Sequence, residues 1–492
     1  MKKIFNFNNI AIFSFLFLSV GCKKQLDINT SPNNPSIDAA TVETLFPAAV
    51  MSSAGRIGGD LSITGGMWAQ YWTQNNNSSQ FRTIDAYELA NTSQFVNLPY
   101  TELYAGALFD YNLGLSKALA AKEWHYYLMN TVMNAYTFQV LVDLYDKVPY
   151  SEAFQSSTIL QPKFDDGYTI YTSLIAKIDD ALTKDVTSSQ LSGDQNNTDF
   201  VFNGNMESWT KFANTLKLKM YLRMINAKPA EAKAGIEKLY AAGAKFLDVP
   251  AQVGKFTDVP NGSNPFYEYN FRRLNSPDNL KASVTFTSWL AKNADPRSEA
   301  YFASPNPVPS INQGDYLGGA AHPEYNDAVN VVVKPTDPVP LISLAESYFM
   351  QAEALERYFG TGSGAAMYKK GLSAAFAQVG LTDADIPATY AYPASSTLET
   401  NIEAIIVQKW ASLFGSHGLE GFFEQNRTGY PRISPVYSTD ESYIPGQIVY
   451  APNGVTGDGN FPRRFVFPDN EKSRNSNTPA QVPITTKVWW GK

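Results

Sequence analysis

The sequence predicts a mostly α-helical protein whose body is one large domain, and three observations carry that expectation. From about residue 98 onward, apolar residues recur in alternating three- and four-residue steps, the spacing of one helix face. Capping residues, prolines and glycines punctuate these stretches where helices begin and end. Between them run segments rich in Asn, Gly, Pro and Tyr (52–97, 186–206, 245–285, 300–340 and 428–492), too long for ordinary connections. The expected picture is a helical scaffold decorated with irregular segments, and long ordered loops often carry binding residues.

The first thirty residues stand apart from that scaffold. Lys2 and Lys3 precede an apolar run from Ile10 to Val20, followed by Gly21-Cys22. A basic start and an apolar stretch of about 7–15 residues make a secretory signal, too short to span a bilayer. Cys22 is the only cysteine, so it forms no intramolecular disulfide and joins no multi-cysteine metal site. Its place after Leu18-Ser19-Val20-Gly21 looks like a bacterial lipoprotein cleavage site, at which Cys22 is lipidated and becomes the mature N-terminus. We therefore expect a signal peptide at 1–21, a lipid anchor and stalk at 22–40, and a single helical domain at 41–492. Several acyl chains, at roughly 0.8 kcal/mol per buried CH₂, suffice for lasting membrane attachment. No other apolar run approaches the roughly 18 residues of a spanning helix.

The helices follow in order. Trp124, Leu128, Thr131, Ala135, Phe138, Val142 and Tyr145 mark one face of a helix that Pro149 ends. A second follows the capping types Asp165-Asp166, with Tyr171, Leu174, Ile178 and Leu182 on its face. A third starts at Ser208 with Trp209, Phe212, Leu216 and Met220; a fourth has Pro229 in its first turn and stops at Gly243. Leu341, Ala345, Tyr348, Ala352, Leu355 and Phe359 line another stripe before Gly360, and Ile402, Ile405, Lys409 and Leu413 one before Gly415. Paired helices of suitable length fall near 103–147, 167–224 and 339–378, but no consensus 34-residue repeat is present.

Composition narrows the chemistry. The 492 residues carry a formal charge of −7, which argues against a nucleic-acid partner. His125, His322 and His417 form no HxxxH or HExxH pair, and neither a GxSxG elbow nor a Walker-type loop occurs. The run Gly360-Thr361-Gly362-Ser363-Gly364 lacks the strand that a phosphate loop needs and reads as a helix end and turn. Asp194, Asn196, Thr198 and Asp199 are oxygen-rich but lack an EF-hand glycine, so they read as a solvated turn. No metal, cofactor or catalytic residue is therefore assigned. Glu346 with Glu353, and Glu420 with Glu424, share helix faces, and helical glycosidases use two acids about 5–10 Å apart. Pairing with Arg or Lys of neighbouring helices competes with catalysis at these positions.

Aromatic residues are 13% of the chain, and two clusters of them suit a ligand. Trp68, Tyr71 and Trp72 are followed by Gln74, Asn75, Asn76, Asn77, Gln80 and Arg82. Flat apolar faces beside amide groups fit a sugar ring, and fit an extended peptide almost as well. Trp68 and Trp72 stand at i and i+4, so a buried helix stripe explains them too. The second cluster is Phe266, Tyr267, Tyr269, Phe271, Arg272 and Arg273 in an irregular segment, where surface packing competes. The ligand-binding candidates are Trp68, Tyr71, Trp72, Asn75, Gln80, Arg82, Tyr267, Tyr269 and Arg272.

An ordered series of motifs resembles the SusD/RagB family of nutrient-binding outer-membrane lipoproteins, in particular its SusD-like second branch. The series begins at Cys22-Lys23-Lys24 with Leu26-Asp27-Ile28-Asn29 and Pro32-Asn33-Asn34-Pro35. Asp143-Leu144-Tyr145-Asp146-Lys147-Val148-Pro149-Tyr150-Ser151-Glu152-Ala153 looks like the family's D-x-Y-G-D-V-P-Y-S-E-A, with Asp146 for the glycine and Lys147 for the acid. Trp209 to Arg223, Asp295-Pro296-Arg297 and Tyr316-Leu317-Gly318-Gly319 follow, then Ala345-Glu346 and Ala352-Glu353-Ala354. Gln408-Lys409-Trp410, Glu420-Gly421-Phe422, Arg427-Thr428-Gly429-Tyr430-Pro431 and Pro462-Arg463-Arg464-Phe465 complete it. Glu424-Gln425-Asn426 departs from the Trp or Arg that the family often has before R-T-G-Y-P.

The resemblance implies a scaffold of tetratricopeptide-like helix pairs with a loop-rich second half. It implies a cell-surface protein on the outer membrane that binds without catalysing. Its ligand would be an oligosaccharide or a peptide, delivered to a TonB-dependent transporter of the SusC type. The motifs are mostly fold-forming in that family and do not locate the pocket. Two rivals are a lipid-anchored helical glycoside hydrolase and a structural surface lipoprotein with no small ligand.

Overall fold

Thirteen α-helices of nine or more residues dominate a computed structural model that describes residues 39–155, 158–186, 191, 193–276, 278–393 and 397–492. Cys22, the expected signal peptide and most of the stalk lie outside the described residues. The helices are α1 (Val42–Ile57), α2 (Asp60–Trp68), α3 (Gln94–Glu102), α4 (Phe109–Ala121), α5 (Trp124–Tyr145), α6 (Gly167–Leu182) and α7 (Met206–Arg223). They continue as α8 (Pro229–Ala241), α9 (Val284–Lys292), α10 (Leu344–Tyr358), α11 (Ala365–Ala377), α12 (Leu398–Ser412) and α13 (Gly418–Thr428). No helix among the described residues is long and apolar enough to cross a membrane.

Neighbours in sequence pack as neighbours in space. α4 lies on α5, α5 on α6, α7 on α8, and α10 on α11, the helix-pair arrangement of a tetratricopeptide-like scaffold. α7 also bridges α5, α6 and α10, which joins the two halves of the chain. The predicted cap Asp166 accepts from the Thr169 N–H at 3.0 Å, and Ser343, a cap that the stripe from Leu341 does not anticipate, accepts with Oγ from the Glu346 N–H at 3.1 Å. α7 starts two residues before Ser208 because Asn205 Oδ1 accepts the Ser208 N–H at 2.9 Å. Gly360 and Gly415 take φ of 115° and 83°, the left-handed region that a helix exit requires.

Several expectations are corrected. The periodic stripe on α5 understates its burial: from His125 on, every residue except Tyr127 is buried, because other helices and the C-terminal tail surround it. Leu341 belongs to a strand, not a helix, since Ser343 caps α10 after it, and Phe359 at its end is 43% exposed. The segment 52–97 contains α2, hidden in sequence by Gly65 and Gly66 inside it. Asp199 is fully buried rather than solvated, accepting from the N–H groups of Val201, Phe202 and Gly204 and from Trp209 Nε1.

Short strands pin the irregular segments to the scaffold as three antiparallel pairs. β1 (Trp72–Gln74) pairs β5 (Leu280–Ala282), β2 (Lys147–Pro149) pairs β3 (Phe164–Asp166), and β4 (Ala251–Val253) pairs β6 (Val339–Ile342). Asp146, just before β2, holds φ of 70°, a conformation that favours glycine, which is what the resembled motif has there. Its carboxylate accepts the Trp489 N–H at 2.6 Å. The tail is core: Trp490 is fully buried and its Nε1 donates to Asp143 Oδ1 at 2.7 Å.

Candidate functional site

The four glutamates weighed as catalytic pairs belong to a buried charge network between helices. Arg223 on α7 meets Asp143 of α5 at 3.1 Å, Glu420 of α13 at 2.7 Å, and also Glu424. Lys219 meets Glu346 at 3.1 Å and Glu420 at 2.9 Å, and Lys409 of α12 meets Glu424 at 3.3 Å. Arg427 clamps Glu353 and Glu424, each at 2.6 Å. With Arg357 on Glu353 at 2.8 Å, five cations offset five carboxylates. Burial alone would raise the Glu424 carboxyl, but Arg427, Lys409 and Arg223 hold it well below the usual range. Glu346 is lowered likewise, chiefly by Lys219 and Lys409 against its burial. A glycosidase needs one acid kept protonated and another facing water. Glu424 is neither protonated nor open to water, and Glu420 is locked onto Arg223 and Lys219. The bland reading of these glutamates, ion pairing across helices, is the one observed.

The first aromatic cluster is likewise packed inside. Trp68, Tyr71 and Trp72 are 4%, 0% and 0% exposed. Trp68 sits edge-on to Phe422 and Phe465 at 5.0 and 5.3 Å, and Tyr71 stacks on Trp410 at 5.5 Å. Their polar atoms are spent on backbone: Trp68 Nε1 on Ile84 O, Tyr71 OH on Trp410 O, and Trp72 Nε1 on Ile63 O. No ring face of the three is left for a ligand. They are core, although Trp72 stands on β1 and not on the helix of Trp68.

The remaining candidates gather where three irregular segments meet. In the antiparallel β1–β5 pair the chain leaves at Gln74 into 75–82 and enters at Leu280 from 268–279, so both segments emerge from one end. A third segment, 311–331, runs along the other edge of β5, where Val331 N–H donates to Leu280 O and Ala282 N–H to Val329 O. Asn75 is buried and shapes this junction: its Nδ2 donates to Asp278 O at 2.6 Å and its Oδ1 accepts the Asn77 N–H at 3.0 Å. Gln80, on the same loop, and Arg82, first residue of the short helix Arg82–Asp85 that follows it, are half-buried.

On one flank Arg82 lies 5.4 Å over the half-buried ring of Tyr316 and donates to Asn76 O at 3.2 Å. Arg82 Nε and Asn76 Oδ1 are buried with no hydrogen-bond partner among the described residues. Below them a polar relay fixes the loop. Asn312 Nδ2 donates to Tyr325 OH at 2.7 Å, Tyr325 OH to Asp315 at 2.9 Å, and Tyr437 OH to Gln313 O at 2.7 Å. Deeper still, burial pushes the Asp85 carboxyl up to about 7 against hydrogen bonds from Thr73, Gln74 and Gln313. Sequence reasoning took Tyr316 only as a fold motif and passed over Asn76 as a site residue; a tyrosine inside the glycine-rich Asp315-Tyr316-Leu317-Gly318-Gly319 turn was the available signal.

On the other flank Tyr267 stacks on Phe271 at 5.1 Å, and Arg272 is engaged by Asp258 at 2.6 Å and Glu268 at 3.2 Å. Tyr269 is half-buried, accepts from Arg56, and has Arg273 4.4 Å over its ring. Among the described residues no group of three or more His, Cys, Asp or Glu is placed to hold a metal ion. The two flanks offer half-exposed tyrosines, guanidinium groups and amides, the means to stack on a ring and bond its rim.

Comparison with known proteins places this geometry in context. The model of the SusD-like family described as "Starch-binding associating with outer membrane" matches residues 32–451. A SusD homolog from Bacteroides uniformis ATCC 8492 superposes with a TM-score of 0.74 at 21% identity, covering 91% of this chain and 99% of its own. A chitin-binding SusD homolog from Flavobacterium johnsoniae gives 0.72 at 22% identity, covering 90% and 98%. A SusD-like protein from Bacteroides thetaiotaomicron VPI-5482 gives 0.71 at 19%, covering 92% and 98%. At these identities the structural likenesses establish the fold. No curated protein matches the sequence.

Proposed function

The chain belongs to the SusD-like family, and from that membership we propose that it is a surface lipoprotein that captures an oligosaccharide and delivers it to a TonB-dependent SusC-type outer-membrane transporter. The observation that carries the reading to named residues is the Arg82–Tyr316 flank. A sugar ring presents apolar CH faces and a rim of hydroxyls. The Tyr316 ring suits the first. Arg82 Nε and Asn76 Oδ1, a donor and an acceptor without partners, suit the second, because an unpaired buried polar atom costs free energy that a ligand hydroxyl restores. Attachment would rest on lipidated Cys22, with residues up to 40 as the tether. Family members described as starch-binding, and relatives described as chitin-binding, favour a glycan over a peptide.

Isothermal titration of the full chain against malto- and chito-oligosaccharides tests this. Binding without hydrolysis is expected. Tyr316→Ala and Arg82→Ala should each weaken it on the order of 30-fold, the loss of a central contact of about 2 kcal/mol, with unchanged melting temperature. Turnover of the glycan, or full affinity in both variants, would sink the reading.

A further inference from the structure

The second flank holds a cavity of about 350 Å³ between α1, the end of α3 and the segment 255–273. Its wall carries Arg56, Lys255 and Arg273 as cations and Glu102 and Glu268 as carboxylates, an excess of one positive charge in a chain of net −7. Ion pairs occupy Arg56 and both wall carboxylates. Arg56 is met by Asp60 from below at 3.3 Å and by Glu102 at 3.9 Å. Glu268 is met by Arg272 at 3.2 Å, which also holds Asp258 outside the cavity. Lys255 and Arg273 are exposed and make no ion pair among the described residues. The two wall charges without an ionic partner are thus both positive.

Tyr269 lines the cavity; its hydroxyl accepts from Arg56 and its ring lies under Arg273. That hydroxyl's own proton is directed to no protein acceptor among the hydrogen bonds described. Phe256 supplies an apolar wall beside it.

We infer that this cavity is a subsite for an anionic group, the carboxylate or sulfate of an acidic oligosaccharide. Lys255 and Arg273 neutralise the anion, the Tyr269 hydroxyl donates to it, and the sugar ring that bears it lies against Phe256. A guanidinium offers a carboxylate or sulfate two parallel N–H donors, which a neutral hydroxyl cannot use as fully. The segment that carries Glu268, Tyr269 and Arg273 of the cavity wall enters β5 at the end of the β1–β5 pair from which the Asn76 and Arg82 segment leaves. The inference rests on the glycan-capture reading and adds the class of glycan.

The test is titration of the full chain with a galacturonan oligomer, its fully methyl-esterified form, a sulfated chondroitin tetrasaccharide and a neutral chito-oligosaccharide. The acidic oligomer should bind at least tenfold more tightly than its ester, and less tightly as salt rises. The pair Lys255→Gln and Arg273→Gln should remove that preference, bringing the affinity for the acidic oligomer down to that for the ester. Both residues are exposed, so the melting temperature should not move. Loss of affinity on desulfating the chondroitin tetrasaccharide would assign sulfate as the anion. Equal binding of acid and ester, or a preference that survives the double variant, overturns the inference. Binding of the neutral oligomer alone would overturn it and leave glycan capture standing, whereas silence across all four ligands would overturn both.

Discussion

Asp85 is a carboxylate under the site with no cation beside it. It accepts from the Thr73 hydroxyl at 2.8 Å, the Gln74 N–H at 3.2 Å and Gln313 Nε2 at 2.9 Å, and these do not offset its burial. With its pKa raised from 3.8 to about 7, the folded protein keeps a proton that the unfolded chain has released. Its contribution to stability is therefore complete below about pH 4 and is lost as pH rises to about 7. Asp85→Asn keeps an acceptor for Thr73 and Gln74 and removes the titration. Urea unfolding at pH 5 and pH 8 should show wild type losing ground to the variant at the higher pH by a few kcal/mol, at roughly 1.4 kcal/mol per pKa unit. A stability difference that stays constant with pH would refute this. Residue type alone also left Trp68, Tyr71 and Trp72 undecided, because a tryptophan suits a core and a sugar platform equally well. Only the carbonyls of Ile84, Trp410 and Ile63, supplied by distant or looped chain, settle them as core.

At the scale of elements, α2 and α13 lie closer than side chains permit, because glycines line their contact. A methyl on Gly65 would fall well inside contact distance of Leu419 Cα, and one on Gly66 inside the ring of Trp72. The first obstacle is backbone and cannot rotate away. Gly65→Ala should cost about 1–3 kcal/mol by forcing the helices apart, read as a lower melting temperature. Gly55 in α1 is the internal control. Nothing lies within 4 Å of a methyl there, so Gly55→Ala should stabilise by up to about 1 kcal/mol through helix propensity alone. If both substitutions behave alike, close packing is not the reason for Gly65. The glycines that make this contact are also what hid α2 from a reading of periodicity. The helices that were legible, such as α6 and α10, have both an apolar stripe and a cap (Asp166, Ser343).

At the scale of the whole molecule, the charge network fastens α5, α7, α10, α12 and α13, and Asp143 ties the C-terminal tail to it through Trp490. Arg427→Met would leave Glu353 and Glu424 buried with one cation fewer between them. A loss of about 3–5 kcal/mol is expected, nearly independent of added salt because buried pairs are poorly screened. A loss below 1 kcal/mol, or one that salt abolishes, would show the network to be solvated. Most motifs that carried the family resemblance are this network seen in sequence: Asp143, Lys219, Arg223, Glu346, Glu353, Lys409, Glu420 and Arg427 recur in it, and Asp295 with Arg297 forms a second buried pair at 2.6 Å. That is why the sequence identified family and helical class while saying little of a site. Helix faces and caps are local, and buried charges must keep their partners, so both leave a periodic or ordered trace in the chain. The binding surface leaves none. Arg82 meets Tyr316, and Arg56 meets Tyr269, across more than two hundred residues of chain. Their meeting is decided by the register of two three-residue strands and by the loops those strands gather, a placement that only tertiary packing sets.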